Sequence, residues 1–218
     1  MKKPPSFKPD DTPTNPVEMN WLSKGWIQRQ LTDNQNIEGF DGRSMMTEQA
    51  QIEAIPAAVL IPLVNKPEGI QVLLTQRTSH LYNHAGQISF PGGRIDPEDS
   101  NTTVTALRET EEEIGLNREK IEILGSLKDY FIPSGFKVTP WVGWINPPIS
   151  LTPDPFEVER IFEVPLDFFF DPQRHQLKYD QVDGRQRRYY IFEYQDKTIW
   201  GATAGMLVNL YHTLFTAI

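Results

Sequence analysis

An acidic segment in the middle of the chain contains the residues best suited to chemistry. Residues 108–116 read RETEEEIGL, with four glutamates among nine residues. Glu109 precedes Glu112 by three positions and Glu113 by four, so a helix would place their carboxylates on one face. A divalent cation such as Mg²⁺ prefers several oxygen ligands, and it would cancel the repulsion between these charges. It would also polarise a phosphoryl oxygen and lower the pKa of a bound water, which is hydrolytic chemistry.

A solvated acidic face is the plain alternative for a run of glutamates. Against it, the same helix carries small and apolar residues, which indicates that one side packs against the protein (Ala106, Leu107, Thr110, Ile114 and Leu116). A Phe-Pro-Gly-Gly loop precedes the helix and ends at Gly93, and such glycines let backbone groups approach a ligand closely. The pattern therefore favours a metal site.

The spacing of these residues resembles the signature of the Nudix hydrolases. That signature has a glycine, five residues, a glutamate, seven residues, and then Arg-Glu-apolar-any-Glu-Glu-any-Gly-apolar. Here five residues separate Gly93 from Asp99, eight separate Asp99 from Arg108, and Thr110 fills the first apolar position. Aspartate thus replaces the first glutamate, and one residue is extra. The resemblance implies an enzyme that uses Mg²⁺ or Mn²⁺ to hydrolyse a pyrophosphate bond in a nucleoside-diphosphate-linked substrate.

The resemblance also implies roles for individual residues. Glu109, Glu112 and Glu113 would ligate the metal, and the carbonyl of Gly93 would contribute. Arg108 would orient the glutamates through charge-assisted hydrogen bonds. Glu109 is the first choice for the base, or for the group that positions the attacking water, and Glu112 is the second.

Three further carboxylates have two interpretations each. Asp99 either joins the site or caps the N-terminus of the helix. Glu157 and Glu159 fall in a loop before a predicted strand, and Nudix enzymes often draw one more carboxylate from a late loop. Either residue is therefore a candidate to complete the metal site, and solvation at the surface is the plainer interpretation of both.

The residues before the acidic helix resemble an additional signature, that of the coenzyme A pyrophosphatase branch. Residues 73–93 read LLTQRTSHLYNHAGQISFPGG, and the branch has Leu-Leu-Thr-any-Arg, later a glycine, and Phe-Pro-Gly-Gly. The branch also carries the aspartate and the extra residue in its box. Residues 133–140, 162–166 and 199–204 are similar to further segments of the branch. This resemblance implies coenzyme A or a derivative as substrate, with 3′,5′-ADP and 4′-phosphopantetheine as products.

Several residues of this segment are candidates for substrate contacts. Arg77 either binds a substrate phosphate or pairs with an acidic neighbour. Tyr82 stands where the branch usually has a basic residue, and it can stack on a base or donate a hydrogen bond. Gly92 belongs to the loop whose backbone faces the ligand. His80 and His84 lie in the same loop and are predicted to form hydrogen bonds rather than to catalyse.

Two other functions are compatible with the same signature. One is a Nudix hydrolase with a different nucleotide substrate, such as ADP-ribose or a dinucleoside polyphosphate. The other is a Nudix-fold binding module without turnover. The complete set of Arg108 and the three glutamates argues against the binding module, which has no need of it.

The elements that must position these residues can be read from the apolar periodicity. Strands are predicted at residues 57–63, 70–75, 121–131, 138–145, 162–166 and 188–194, and helices at residues 19–31, 102–114 and 202–215. Ser100 is the predicted N-cap of the second helix, and Gly115 is placed to end it in the left-handed conformation. The elements do not alternate strictly, so we predict an α+β fold in which a mixed sheet is sandwiched between helices, of the Nudix type.

Composition limits the remaining possibilities. With 218 residues and 39% hydrophobic content, the chain can form one sizeable core, predicted as a hydrolase domain at 51–218 that follows an N-terminal arm and short helix at 1–50. The net charge of −8 argues against nucleic acid as a partner and leaves a small nucleotide. There is no cysteine and no apolar stretch long enough for a bilayer, so a cytoplasmic location without membrane contact is expected. Residues 168–170, three phenylalanines, are predicted to pack in a core or in a homodimer interface.

Overall fold

The computed structural model describes residues 22–34, 39–40, 46–80, 85–182 and 185–215. The helices are α1 (Lys24–Asp33), α2 (Glu48–Ile52), α3 (Thr102–Ile114), α4 (Leu166–Phe169) and α5 (Gly201–Phe215). The strands are β1 (Ile55–Lys66), β2 (Gly69–Arg77), β3 (Ile88–Ser89), β4 (Gly92–Arg94), β5 (Ile121–Ser126), β6 (Tyr130–Ile132), β7 (Phe136–Ile145), β8 (Val158–Pro165), β9 (Gln176–Val182), β10 (Arg185–Tyr194) and β11 (Lys197–Trp200). The N-terminal arm predicted ahead of the first helix lies outside the described residues, as do Tyr82 and His84.

A mixed sheet of eight strands forms the centre of the fold. Its order is β3-β2-β1-β7-β5, with β4 paired to β1, β6 to β7 and β8 to β2. The central strand β1 is antiparallel to β2 and parallel to β7. Such a strand has a neighbour on both edges and cover on both faces, which explains the continuous apolar run at residues 57–64.

Alternate residues of β1 point into two separate cores. Ile61 and Leu63 belong to the larger core, which also contains Ile27 of α1 and Leu207 of α5. Leu60 belongs to the smaller core, together with residues of α3. The sheet therefore lies between α3 on one face and α1 with α5 on the other, which confirms the predicted mixed sheet sandwiched between helices.

A second, three-stranded antiparallel sheet has the order β11-β10-β9. It packs on α5 through β10, whose Phe192 is fully buried in the larger core. Phe169 and Phe170 are buried in the same core, and Phe168 packs against it. Of the two interpretations of the phenylalanine run, the structure thus supports the core.

Two sequence-based element assignments need correction. The strand predicted at residues 121–131 is two strands, β5 and β6, and the register of β5 against β7 shifts between Ile123 and Gly125. The helix predicted at 19–31 begins at Lys24, because the side chain of Ser23 accepts a hydrogen bond from the backbone of Trp26 and caps it there. In the described ranges, no helix has both the length and the apolar character needed to cross a bilayer.

Candidate active site

The acidic helix α3 has the predicted bounds, but its cap differs from the prediction. Gly115 ends it with φ +66°, the left-handed conformation that glycine adopts readily. At the start, the cap is Asn101, not Ser100. The side-chain oxygen of Asn101 accepts from the backbone N–H groups of Thr103 and Val104 at 3.0 and 3.1 Å, which satisfies two free donors of the first turn.

The threonine in the apolar position of the signature is buried, and its hydroxyl has a hydrogen-bond partner inside the helix. Thr110 is fully buried, on the side of α3 that faces the sheet. Its hydroxyl donates to the carbonyl oxygen of Ala106 at 2.6 Å, so the polar atom is satisfied inside the helix and the methyl group is left for the core.

Arg108 is the centre of a charged network. Its Nε and Nη2 donate to the two oxygens of Asp99 at 3.1 and 2.8 Å, a bidentate arrangement. Its Nη1 donates at 2.9 Å both to Oε1 of Glu109 and to Oε2 of Glu112. Arg108 thus holds two of the three candidate glutamates in place and ties them to the loop before the helix, which is the geometry expected for an orienting residue.

Asp99 is the anchor of this network. Its side chain is 3% exposed, and it accepts from Arg108, from the hydroxyl of Thr105 at 2.9 Å and from the backbone N–H of Asp96 at 3.0 Å. The hydrogen bonds from the Arg108 guanidinium hold the pKa of this carboxyl well below its usual range. Asp99 therefore remains charged, and it does not cap α3, since Asn101 does.

Glu109 lies against the backbone of β4. A side-chain carbon at Gly93 would come within 2.5 Å of the carboxyl carbon of Glu109, so glycine is the residue that leaves room for this carboxylate. Burial raises the pKa of Glu109, and the hydrogen bond from Arg108 opposes that shift. The backbone of Gly93 and the carboxylate of Glu109 are therefore neighbours, as a shared metal site requires.

Glu113 is the most deeply buried glutamate of α3. Its side chain is 7% exposed, and it accepts from the backbone N–H of Gly92 at 3.3 Å. Burial raises its pKa to about 8, and the nearby charge of Arg77 opposes the shift. Gly92 in turn runs so close to β1 that a side-chain carbon there would lie 2.6 Å from the Cα of Val59.

Arg77 extends from the end of β2 towards Glu113. Its Nη1 lies 3.9 Å from Oε1 of Glu113, so the two side chains form a loose ion pair. Its Nε is buried and has no hydrogen-bond partner within the described ranges. Of the two interpretations of Arg77, pairing with an acidic neighbour is observed. Because its Nε has no partner among the described residues, binding of a substrate phosphate stays a prediction.

The remaining glutamates of the helix are more exposed. The side chain of Glu112 is 59% exposed and is held by Arg108. Glu111 lies apart from the site, where its carboxylate accepts from Nε of Arg118 at 2.7 Å. The four glutamates therefore have different roles in the fold, and Glu111 provides an internal control for the other three.

The structure distinguishes between Glu157 and Glu159. Glu157 lies near enough to Glu109 and Glu113 for its negative charge to raise both of their pKa values. Glu159 is exposed on β8. The loop of Glu157 is attached to the end of α3, because the backbone N–H of Asp154 donates to the carbonyl of Glu113 at 2.9 Å. Glu157 is therefore the better candidate for a further carboxylate at the site.

The side chains present fit a hard divalent cation. Their donor atoms are carboxylate oxygens, the ligands that Mg²⁺ and Mn²⁺ prefer. A cation would relieve the unfavourable burial of Glu113 and the repulsion between Glu109, Glu113 and Glu157. Within the described residues no three acidic or histidine side chains already converge as a ready-made metal site. Ligation would therefore require Glu109 and Glu112 to reorient from the Nη1 of Arg108 that they share.

One feature of the site was missed by sequence reasoning. Phe156, in the same loop as Glu157, is 66% exposed, and its ring packs edge-to-face against His80 with the ring centroids 5.0 Å apart. The signal available was the Pro-Asp-Pro-Phe segment at residues 153–156, in which an aromatic residue follows a rigid turn.

The chain is similar to one known protein family. The family model described as NUDIX domain matches residues 54–167, slightly more than half of the chain. A Photorhabdus laumondii protein named as an uncharacterized Nudix hydrolase, NudL, is 42% identical over 154 residues, which cover 71% of this chain and 82% of that protein. A Yersinia enterocolitica protein of the same name is also 42% identical, with 71% and 78% covered. Among solved structures, a C. elegans Ap4A hydrolase in a binary complex is 24% identical, with a TM-score of 0.45 over 51% of this chain and 80% of that chain.

Proposed function

This chain belongs to the Nudix family, and we propose that it is a Mg²⁺- or Mn²⁺-dependent hydrolase that cuts the pyrophosphate bond of coenzyme A or a derivative. The observation that carries the proposal is the meeting of Glu109 and Glu113 at the backbone of Gly92 and Gly93. Two carboxylates at one glycine backbone, Glu113 buried and Glu109 half-buried, are unfavourable without a cation, and carboxylate oxygens are ligands that a divalent cation prefers.

Glu109, Glu112 and Glu113 would hold the metal, and the Gly93 carbonyl would assist. When bound, a divalent cation polarises a phosphoryl oxygen and lowers the pKa of a bound water. Arg108 keeps Glu109 and Glu112 within reach of the same centre through its Nη1. Glu157 adds negative charge from the loop that is attached to the end of α3.

The reaction is a displacement at phosphorus by water. The water oxygen forms a bond to one phosphorus of the bridge, and the bond from that phosphorus to the bridging oxygen breaks. Glu109, whose pKa is raised by burial, accepts the proton of the water. The other phosphate leaves with the bridging oxygen, so that coenzyme A gives 3′,5′-ADP and 4′-phosphopantetheine.

Substrate phosphate is assigned to Arg77, and the backbone of Gly92, whose N–H donates to Glu113 in this structure, is the second candidate. Arg77 faces Glu113 across 3.9 Å, and its buried Nε has no hydrogen-bond partner among the described residues. A planar guanidinium suits bidentate binding of phosphate oxygens. Tyr82 remains a sequence-based candidate for substrate contact. The coenzyme A assignment itself is supported by the resemblance of residues 73–93 to the signature of that branch.

A substrate panel tests the proposal. The full chain is incubated with Mg²⁺ or Mn²⁺ and, separately, with coenzyme A, acetyl-coenzyme A, dephospho-coenzyme A, ADP-ribose and NADH, and the products are separated by chromatography. We expect coenzyme A or its thioester to be cleaved with the highest kcat/KM and EDTA to abolish cleavage. Faster cleavage of ADP-ribose would reject coenzyme A and keep the Nudix chemistry. No metal-dependent cleavage of any nucleotide would favour the binding module.

A further inference from the structure

We propose that Phe156 and His80 form an aromatic platform on which the nucleobase of the substrate stacks. This inference rests on the proposed function, because it concerns the nucleotide end of the same substrate. It assigns base recognition to a pair of residues in two loops beside the carboxylates.

The first observation is the unusual exposure of an aromatic ring. Phe156 is 66% exposed, more than Tyr179 (60%) or Trp200 (43%), the other large aromatic residues exposed in the described part of the chain. A phenylalanine so exposed contributes nothing to a core, whereas a flat ligand would cover it. The ring of His80 packs edge-on against it, with the ring centroids 5.0 Å apart and an angle of 65° between the ring planes. The two rings therefore form two sides of a concave surface.

The second observation is that hydrogen bonds fix the loop of Phe156 to the segment before His80. The backbone N–H of Thr78 donates to the carbonyl of Glu157, and the Thr78 hydroxyl donates to the carbonyl of Phe156, both at 2.9 Å. The backbone N–H of Phe156 donates to Oδ1 of Asp154 at 2.8 Å. These bonds hold the backbone of the Phe156 loop before any ligand arrives, so little ordering of that loop is required on binding.

The third observation is the position of the platform relative to the reacting groups. Asp154 is bonded through its backbone N–H to the carbonyl of Glu113 at 2.9 Å, so the loop of Phe156 is attached to the acidic helix. On the other side, Thr78 follows Arg77, the candidate phosphate ligand, directly in the chain. The segments that carry Arg77 and Phe156 are thus neighbours, which suits phosphate and base as the two ends of one nucleotide.

The chemistry favours a planar base over other occupants. Every nucleobase has a π-face that stacks on an aromatic ring, and removal of one such ring typically weakens nucleotide binding about 5- to 150-fold. The imidazole edge of His80 can in addition exchange a hydrogen bond with the rim of a purine. Pantetheine, a flexible chain, would gain less from a flat aromatic surface.

Equilibrium binding of ADP and of inorganic pyrophosphate, each measured calorimetrically with Mg²⁺, tests the platform without any turnover. For Phe156→Ala we expect ADP affinity to fall about 5- to 150-fold while pyrophosphate affinity stays within twofold of wild type. Phe156→Trp should retain ADP affinity, since it restores a flat ring. Tyr179→Ala, which removes an exposed aromatic ring on β9, is the matched control and should change neither affinity.

Three results would overturn the platform. These are unchanged ADP affinity in Phe156→Ala, equal weakening of ADP and pyrophosphate, or equal binding of the two ligands by wild type. The proposed function is tested separately, by cleavage of the substrate panel. A chain that cleaves coenzyme A but shows no effect of Phe156→Ala on ADP would refute the platform alone. A chain that cleaves none of the panel would refute the proposed function, whatever the binding data.

Discussion

The carboxylate of Glu109 lies against the backbone of Gly93. A side-chain carbon at position 93 would lie 2.5 Å from the Glu109 carboxyl carbon. The loop glycine and the helix carboxylate are therefore parts of one unit. This contact explains in steric terms why a Gly-Gly pair and an acidic helix occur together in the sequence. It also makes position 93 a sensitive test of the site.

Gly93→Ala should reduce turnover while keeping the fold. Gly93 does not have a positive φ, so alanine is compatible with the backbone, and the three heavy atoms nearest to the added carbon all belong to the end of the flexible Glu109 side chain. We expect kcat/KM to fall about 10- to 100-fold, as when a metal-site neighbour is lost. Gly25→Ala in α1, where nothing lies within 4 Å, is the control and should leave activity unchanged. Wild-type activity in Gly93→Ala would show that the position of the Glu109 carboxylate does not matter for the reaction.

Glutamine replacements separate the glutamates of α3 by function. Glu112→Gln and Glu113→Gln each keep the side-chain shape and remove one charge from the proposed metal site, and we expect each to lower turnover about 100-fold or more. Glu111→Gln removes the same charge from a residue paired with Arg118 and should have little effect. Steady-state kinetics with circular dichroism to monitor folding decides the matter. Equal activity in all three variants would indicate that the glutamates of α3 form only a solvated acidic face.

Metal affinity should depend on pH in a defined direction. Burial raises the pKa of Glu113 to about 8, so a cation competes with a proton for this carboxyl around neutral pH. Mn²⁺ affinity is therefore expected to rise by up to about tenfold per pH unit below pH 8 and to level off above it. Glu113→Gln should flatten the profile. Mn²⁺ titrations between pH 6 and 9 provide the measurement, and a flat wild-type profile would contradict the expectation.

Stability should fall on mild acidification because of a buried histidine. Burial lowers the pKa of His175, whose ring packs against Phe192 and Tyr211 and whose Nε2–H donates to the carbonyl of Phe169 at 2.7 Å. The unfolded chain binds this proton near pH 6.5 and the folded chain only at lower pH. Stability is therefore full above about pH 6.5 and decreases as the pH falls towards the folded pKa.

Thermal unfolding between pH 5 and 8 tests this expectation. His175→Phe should show a shallower loss of Tm on acidification than wild type, even if its Tm at pH 8 is lower because the hydrogen bond to Phe169 is gone. The pKa of His212 is lowered by burial too, so part of the slope should remain. Identical slopes in the two proteins would assign the acid sensitivity to other groups.

A final prediction concerns the 3′-phosphate of coenzyme A. Coenzyme A should be preferred to dephospho-coenzyme A by about tenfold, the low end for a charged hydrogen bond, because Tyr82 replaces a basic residue of the related branch. Tyr82→Arg should widen this preference. Measuring kcat/KM for both substrates with both proteins tests it, and no preference in either protein would remove Tyr82 from phosphate recognition.

The sequence by itself determined where the acidic helix begins and where it ends. The bounds of α3, the left-handed end at Gly115 and most of the strands of the central sheet follow from local periodicity and from the properties of single residues. These signals act over a few residues, so they can be read without knowing what packs against what. The family, too, was identifiable from residue spacing.

Only the tertiary structure decided which side chains meet. Periodicity placed Glu109, Glu112 and Glu113 on one face of α3 but did not show that Glu113 is buried while Glu112 is 59% exposed. Nor did it bring the loop of Phe156 and Glu157 to Thr78, almost eighty residues away in the chain. Such contacts depend on the pairing of β2 with β8 and on the attachment of the loop to the end of α3. They arise from long-range packing, whose free energy is shared among many residues and leaves no local pattern in the sequence.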